Sequence, residues 1–361
     1  MVTRQRRDEV RRASERFLQM HGPTVMADQL TDLASRARGR DRDSYGTGEL
    51  IEELEGRLAD LFGTEAAVFL PSGTMAQQIA LRIWAEQAGR DTVGLHPLTH
   101  LEVHELGAVW ELHRLRPRFL TDAPRQPTLD DLAAVAEPLG SVVVELPLRE
   151  ADFQLPTWDE LSGFAAAVGE RGARLHVDGA RLWESTAHLG HSLAEIAGLA
   201  DSVYVSFYKV LGAMSGSALV GPASFVAQAR RWQRRHGGTL FAQYPAVLGA
   251  LRGLDEYLPR VPTYVSYAQK LAARLAELPR VRVNPNPVHT NGFAVYVDAD
   301  SDRLDEATVA YAAEKKTTTF WWGPTVVPGW SKTEISVGEA TLGWKPGEIA
   351  DTLQELVDRA S

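Results

Sequence analysis

The chain has no cysteine. Disulfides, thiolate nucleophiles and cysteine-held metals are therefore excluded within it. No run approaches the roughly 18 apolar residues that a membrane span needs. There is no dense basic stripe, and the net charge is -9. A groove for nucleic acid or a face for anionic lipid is disfavoured on both counts. The opening residues, MVTRQRRDEVRRASERF, carry charges of both signs and no apolar centre, so they do not read as a secretory signal. Asp8, Glu9 and Glu15 argue against an Arg-rich transit peptide. A cytoplasmic location is the expectation. One scarcity is more pointed: Lys209 is the first lysine in the chain, and every Lys or Arg before it is arginine.

What is present describes an ordinary globular protein of 361 residues, 44% hydrophobic and 24% charged. That length allows a large domain and a smaller one. Residues 8–20 and 25–38 read as helices, and residues 48–62 place Leu50, Leu54, Leu58 and Leu61 on one helical face. From there apolar strand-like runs alternate with helical ones: AAVFL, then residues 75–88; SVVVEL, then residues 158–172; RLHVDGA, then residues 192–199; then SVYVSF and SALVG. Such alternation predicts an α/β fold with a mostly parallel central sheet and helices on both faces, binding its ligand at the carboxyl ends of the strands. Past about residue 260 the pattern changes to a smaller α+β domain. The expected division is an N-terminal helical segment (1–45), a large domain (46–258) and a small C-terminal domain (259–361).

Three features fall at carboxyl ends of predicted strands. Ser72-Gly73-Thr74 stands where a strand passes into a helix, and either cradles a phosphate or caps the helix. Asp178, in RLHVDGAR with Arg181 close behind, is either a functional carboxylate or half of a turn ion pair. Lys209 follows VYVSF and precedes the small residues Gly212, Ala213, Ser215 and Gly216. Desolvation lowers a lysine's pKa and frees its amine as a nucleophile, which arginine cannot supply. A phosphate cradle, a carboxylate for a ring nitrogen and an amine for an aldehyde together suit pyridoxal 5'-phosphate (PLP), with Ser206 as a further phosphate donor.

The stretches YGTGELIEELEGRLADLFGTEAAVFLPSGTMAQQIAL, THLEVHELGA, LHVDGARLWES and DSVYVSFYKVLGA resemble, in that order, the threonine aldolase/β-eliminating lyase family of fold-type I PLP enzymes. The resemblance runs from about Tyr45 to Tyr257. It implies a transferase-like fold in which Lys209 holds PLP covalently and Asp178 pairs with the pyridine nitrogen. Ser72, Gly73, Thr74 and Ser206 would surround the phosphate, His100 would stack on the ring, and Arg181 would lie near the ring oxygen and the substrate carboxylate. It implies a homodimer or homotetramer in which Tyr45 or Thr239 completes a neighbour's site. His96, His100 and His104 recur every four residues, but Pro97 works against one shared helical face, so a metal site is not expected.

The chain departs from this family in places. ELPLREADFQLP carries Asp152-Phe153 where two glycines are expected, and Phe does not take positive φ cheaply, so this loop is expected to be rebuilt. Val210 and Ala213 stand where glycines are frequent. SKTEISVGEAT offers Glu334 in place of a carboxylate-gripping Arg, leaving Arg149 or Arg181 to compensate. The TFWWGP run reads either as small-domain core or as the mouth of a site for a bulky substrate. The expected reaction is cleavage, or aldol synthesis, of a β-hydroxy-α-amino acid, giving or consuming glycine and an aldehyde. The alternatives are β-elimination, racemisation, or a non-catalytic binding subunit.

Overall fold

The structure, a computed structural model, describes residues 2–361. Two compact units emerge: one is Gln29–Pro259, and the other joins residues 2–28 to Arg260–Ser361.

The larger unit is built on seven strands: β1 (Ala66–Leu70), β2 (Thr92–Leu95), β3 (Arg116–Phe119), β4 (Ser141–Glu145), β5 (Arg174–Gly179), β6 (Ser202–Ser206) and β7 (Ser217–Gly221). Their order in the sheet is β1-β7-β6-β5-β4-β2-β3. Strands β6 to β3 run parallel, and β7 is antiparallel to both neighbours. Strands β4, β6 and β7 are buried at every position, which is why they read as unbroken apolar runs rather than alternating ones. The helix Glu49–Phe62 buries Leu50, Leu54, Leu58 and Phe62, with Leu61 only half-buried, and ends at Gly63 in a left-handed cap. The helix Gly73–Ala88 packs its apolar side against Tyr204 and Leu219. Beneath it a buried polar chain fixes the strands: His176 bonds Ser202 through Nδ1 (2.8 Å) and Gln77 through Nε2 (2.7 Å), and the Trp84 indole donates to Ser202 (2.8 Å).

In the smaller unit, Val281–Asn284, Gly292–Val297, Ser331–Ser336 and Gly323–Pro324 form an antiparallel sheet, with helices Val261–Ala276, Ser301–Lys315 and Pro346–Ala360. The helix expected over 8–20 occupies Arg4–Ala13 and stops there. The chain then peels away so that Arg16–Phe17 can pair in parallel with Thr317–Thr318. The TFWWGP run starts in this unit's interior and ends at its surface: Trp321 and Gly323 are half-buried, Pro324 is exposed, and Trp321 to Pro324 line a cavity of about 420 Å³. Trp322 is buried and its indole donates to Thr308 (3.0 Å), while Trp321 packs against Val10, Val309 and Ala312. Glu334 lies on one of the two inner strands of this sheet, half-buried, with the Lys332 ammonium 3.6 Å away.

Candidate functional site

Parallel pairing sets one residue from each of three strands side by side near the carboxyl edge of the sheet. Glu145 on β4 is the register partner of Asp178 on β5, and Asp178 is the partner of Tyr204 on β6. Partners on adjacent strands point to the same face, so the three side chains form one row, and all are buried. Asp178 accepts the Ala180 N–H (3.1 Å), and burial pushes its carboxyl up against the opposing pull of Lys209. The Tyr204 hydroxyl lies against the start of the helix that follows β1: a Cβ on Gly73 would come 2.1 Å from it. Only glycine fits that position.

Lys209 follows β6 on a turn closed by Gly212 N–H to Lys209 O (3.0 Å) and Ala213 N–H to Phe207 O (2.9 Å). Gly212 takes the positive φ of this turn (63°). Val210 packs fully inside and Ala213 nearly so. The bend therefore forms with Val and Ala at the positions where glycine was anticipated. The ammonium is half-buried and sits 5.8 Å from the Tyr208 ring, with no hydrogen bond or ion pair to any side chain among the described residues. Desolvation and then Arg181 push its pKa down to about 8, while Asp178, Glu145 and Glu184 resist. It is an amine held near its reactive form and left unengaged.

His100 opens a one-turn helix. Its backbone N–H donates to Glu145 Oε2 (2.7 Å), and its Nδ1 meets Glu105 Oε1 (3.0 Å). That carboxylate raises the His100 pKa; Asp178 adds to the effect and Lys209 opposes it. The second Glu105 oxygen is buried without a partner. His104 meets Glu150 (2.8 Å) with its ring 5.1 Å from that of His100, while the His96 ring is engaged by Ala123 O (2.7 Å).

Ser72 is the N-cap of Gly73–Ala88, accepting from Met75 N–H (3.3 Å). The capping use is therefore real. It is compatible with a cradle, because the amides of the first helical turn have no partner within the helix and carry the positive end of its dipole. The Ser206 hydroxyl donates to Ala180 O (2.8 Å), so it reaches a phosphate as donor only after rotating. Arg181 stands over the Phe153 ring at 5.5 Å, and its charge acts on both Lys209 and Glu184. Arg149 pairs with Glu150 (2.8 Å). Tyr45 and Thr239 are elsewhere, on a cavity of about 380 Å³ lined also by Glu55, Arg230 and Arg234.

The loop carrying Phe153 is not rebuilt around its non-glycine residues. Asp152 and Phe153 themselves adopt φ of 62° and 63°. A Leu148–Gln154 bridge and Phe153 N–H to Arg149 O (3.3 Å) close the loop, and the ring is fully buried. Burial of an aromatic offsets a left-handed backbone that costs about 1–2 kcal/mol for a residue of this kind.

Sequence reasoning missed Glu145 and Glu184. Glu145 ends a strand as Asp178 does, so the same rule would have found it. Glu184 is wholly buried, with one carboxylate oxygen unpartnered, and burial raises its pKa to about 8 against the pull of Arg181. Nothing in the pattern RLWES signals that burial. PLP fits the assembled residues. A lone amine, a strand-end carboxylate, an unpartnered Glu105 oxygen beside a half-buried imidazole, and a glycine-started helix supply what its aldehyde, ring and phosphate require.

Residues 24–300 match the family model described as β-eliminating lyase. Low-specificity L-threonine aldolase 1 of Arabidopsis thaliana is 31% identical over 278 residues, covering 73% of this chain and 76% of the relative. A solved structure from Exiguobacterium sp., assigned as an aromatic amino acid β-eliminating lyase/threonine aldolase, superposes with a TM-score of 0.92 at 35% identity. It covers 98% of this chain and 99% of that one. A structure from Listeria monocytogenes, assigned as an L-allo-threonine aldolase, gives 0.90 at 35% identity with the same coverage.

Proposed function

This chain belongs to the β-eliminating lyase family, and from that premise we propose that it is a PLP-dependent carbon–carbon lyase of the threonine aldolase type. It divides β-hydroxy-α-amino acids into glycine and an aldehyde, or joins them in reverse. Bound here, PLP would withdraw electrons from the amino acid's Cα. The chain's own residues do the rest. Lys209 would contribute the amine that holds the cofactor. Asp178 would keep the ring nitrogen protonated. The amides of Gly73 and Thr74, with Ser72, would hold the phosphate. His100 would cover the ring. Glu105 fixes its Nδ1, which leaves Nε2 as the atom to take the β-hydroxyl proton. Arg181 is the better candidate for the substrate carboxylate, since Arg149 is already paired with Glu150.

The unengaged ammonium of Lys209 beside buried Asp178 carries this reading. Aldehyde release from L-threonine, L-allo-threonine and phenylserine tests it. We expect turnover of at least one. Release from none, with pyruvate formed from serine instead, moves the assignment to β-elimination.

The larger unit exposes Tyr45, Leu240, Phe241 and Tyr244, with Tyr45 edge-on to Phe241 at 5.3 Å. We assign this patch to a homodimer contact through which Tyr45 and Thr239 reach the other copy's site. Light scattering that finds a monomer removes that part. No helix among the described residues is long and apolar enough to cross a membrane, and the lack of cysteine suits the cytoplasm, where we place the enzyme.

A further inference from the structure

Glu145 stands at one end of the row, next to Asp178, and the proposed chemistry makes no use of it. Its carboxyl is buried beside Asp178, its register partner. Each of its oxygens takes one backbone amide. Oε2 accepts His100 N–H at 2.7 Å, and Oε1 accepts Arg149 N–H at 3.2 Å. These amides belong to two different segments: the turn that carries His100, and the loop that carries Phe153 under Arg181. The same segments are tied again nearer the surface, where Glu150 accepts from His104 and from Arg149, both at 2.8 Å. Gln126 adds a third restraint, donating to Glu145 O and Gln154 O, both at 2.9 Å. Burial and the neighbouring Asp178 push the Glu145 carboxyl up to about 7, while the His100 and Arg149 amides oppose that rise; above that pH the two amides bond an ionised acceptor, one of the stronger kinds of hydrogen bond. The arrangement earns its cost only if both segments must be held to a narrow tolerance.

We propose that Glu145 is a positioning residue: its two oxygens clamp the His100 turn and the Arg149–Phe153 loop against the strand ends that present Asp178 and Lys209. The proposal rests on the functional reading above, and goes past it by naming what sets the place of the imidazole. Glutamine keeps the shape but turns one oxygen into an NH2 that confronts an amide donor, so Glu145→Gln must release one of the two segments. Aspartate keeps both acceptors and the charge on a shorter arm.

The test uses the full chain, with and without PLP. Without cofactor, at a pH above 7 where the Glu145 carboxyl is mostly ionised, hydrogen exchange at one of the two amides, His100 or Arg149, should speed up about tenfold or more in Glu145→Gln, the loss expected for a bond to a charged acceptor. With cofactor, borohydride should still fix PLP on Lys209. The visible circular dichroism of the bound cofactor should change, and kcat should fall about tenfold while KM moves less than about threefold. Glu145→Asp should lie between the two. A purely structural role would lower the melting temperature and leave the dichroism and the kcat-against-KM split untouched, and that result overturns the proposal. Wild-type exchange in Glu145→Gln overturns it too. If Glu145→Gln does not fold, Glu145→Asp with wild-type kcat and dichroism has the same force. Failure of the wild type to take PLP at Lys209 defeats the functional reading instead, and the exchange measurement still decides the clamp.

Discussion

Residues 207–216 and residues 148–154 make two turns at the carboxyl edge of one sheet, and both carry larger residues where glycine was anticipated. In the first, Val210 and Ala213 keep ordinary negative φ, and the positive values fall on Gly212 and Gly216. In the second, no glycine is available and Asp152 and Phe153 take φ above 60° themselves. The first turn places its positive φ on glycines; the second places it on Asp and Phe and accepts strain. Both border Arg181, which lowers the Lys209 pKa and stacks on Phe153. A rigid, unstrained turn thus presents the amine. A strained one, tied at its base to Glu145, presents an aromatic wall.

Substitution can break this contrast. At Val210, fully buried with negative φ, alanine should cost about 2 kcal/mol and glycine about 3, because the cavity and the added backbone freedom act in the same direction. Urea unfolding of the two variants reads it. Glycine as stable as alanine there would mean that the turn is strained after all.

Next in size is the pH effect of Glu184, whose charge interacts with Arg181 between the two turns. Its folded pKa of about 8 stands above the ordinary 4.5. The folded chain therefore keeps a proton that the unfolded chain has lost, and stability falls as pH rises from about 4.5 to about 8. Glu184→Gln should remove this slope and so gain stability relative to wild type at the alkaline end. Parallel stability profiles for the two proteins would show that Glu184 ionises freely.

The smallest effect is the sharpest. At Phe153, loss of the ring costs both variants alike, but glycine also relieves the left-handed backbone. Phe153→Gly should therefore be more stable than Phe153→Ala by about 1 kcal/mol, the reverse of the order at Val210. The same order at both positions would erase the distinction between the turns.

The sequence carried the fold well where pattern reports it directly. Buried strands such as SVVVE and SVYVS read as apolar runs, and the helices between them as periodic ones. Lys209 was visible through the arginine bias of everything before it, and Asp178 through its place at a strand end. Glu145 was equally visible by that second rule. Glu184 was not, because its burial depends on what packs over a short 3-10 turn. Neither was the pairing of Glu105 with His100, which no helical or strand period marks. The 148–154 loop misled because the cost of Phe at positive φ is legible in sequence, while the buried ring and the Leu148–Gln154 bridge that offset it are not. Helix 8–20 ended early because pairing of Arg16–Phe17 with Thr317–Thr318 is a long-range event.

The decisive atom is the Nζ of Lys209. Saturate the purified chain with PLP, reduce with borohydride, digest, and locate the label by mass spectrometry. One phosphopyridoxyl group per chain is expected on the peptide containing Lys209, and none in Lys209→Ala. A label on another lysine, or no label at saturating PLP, would contradict it.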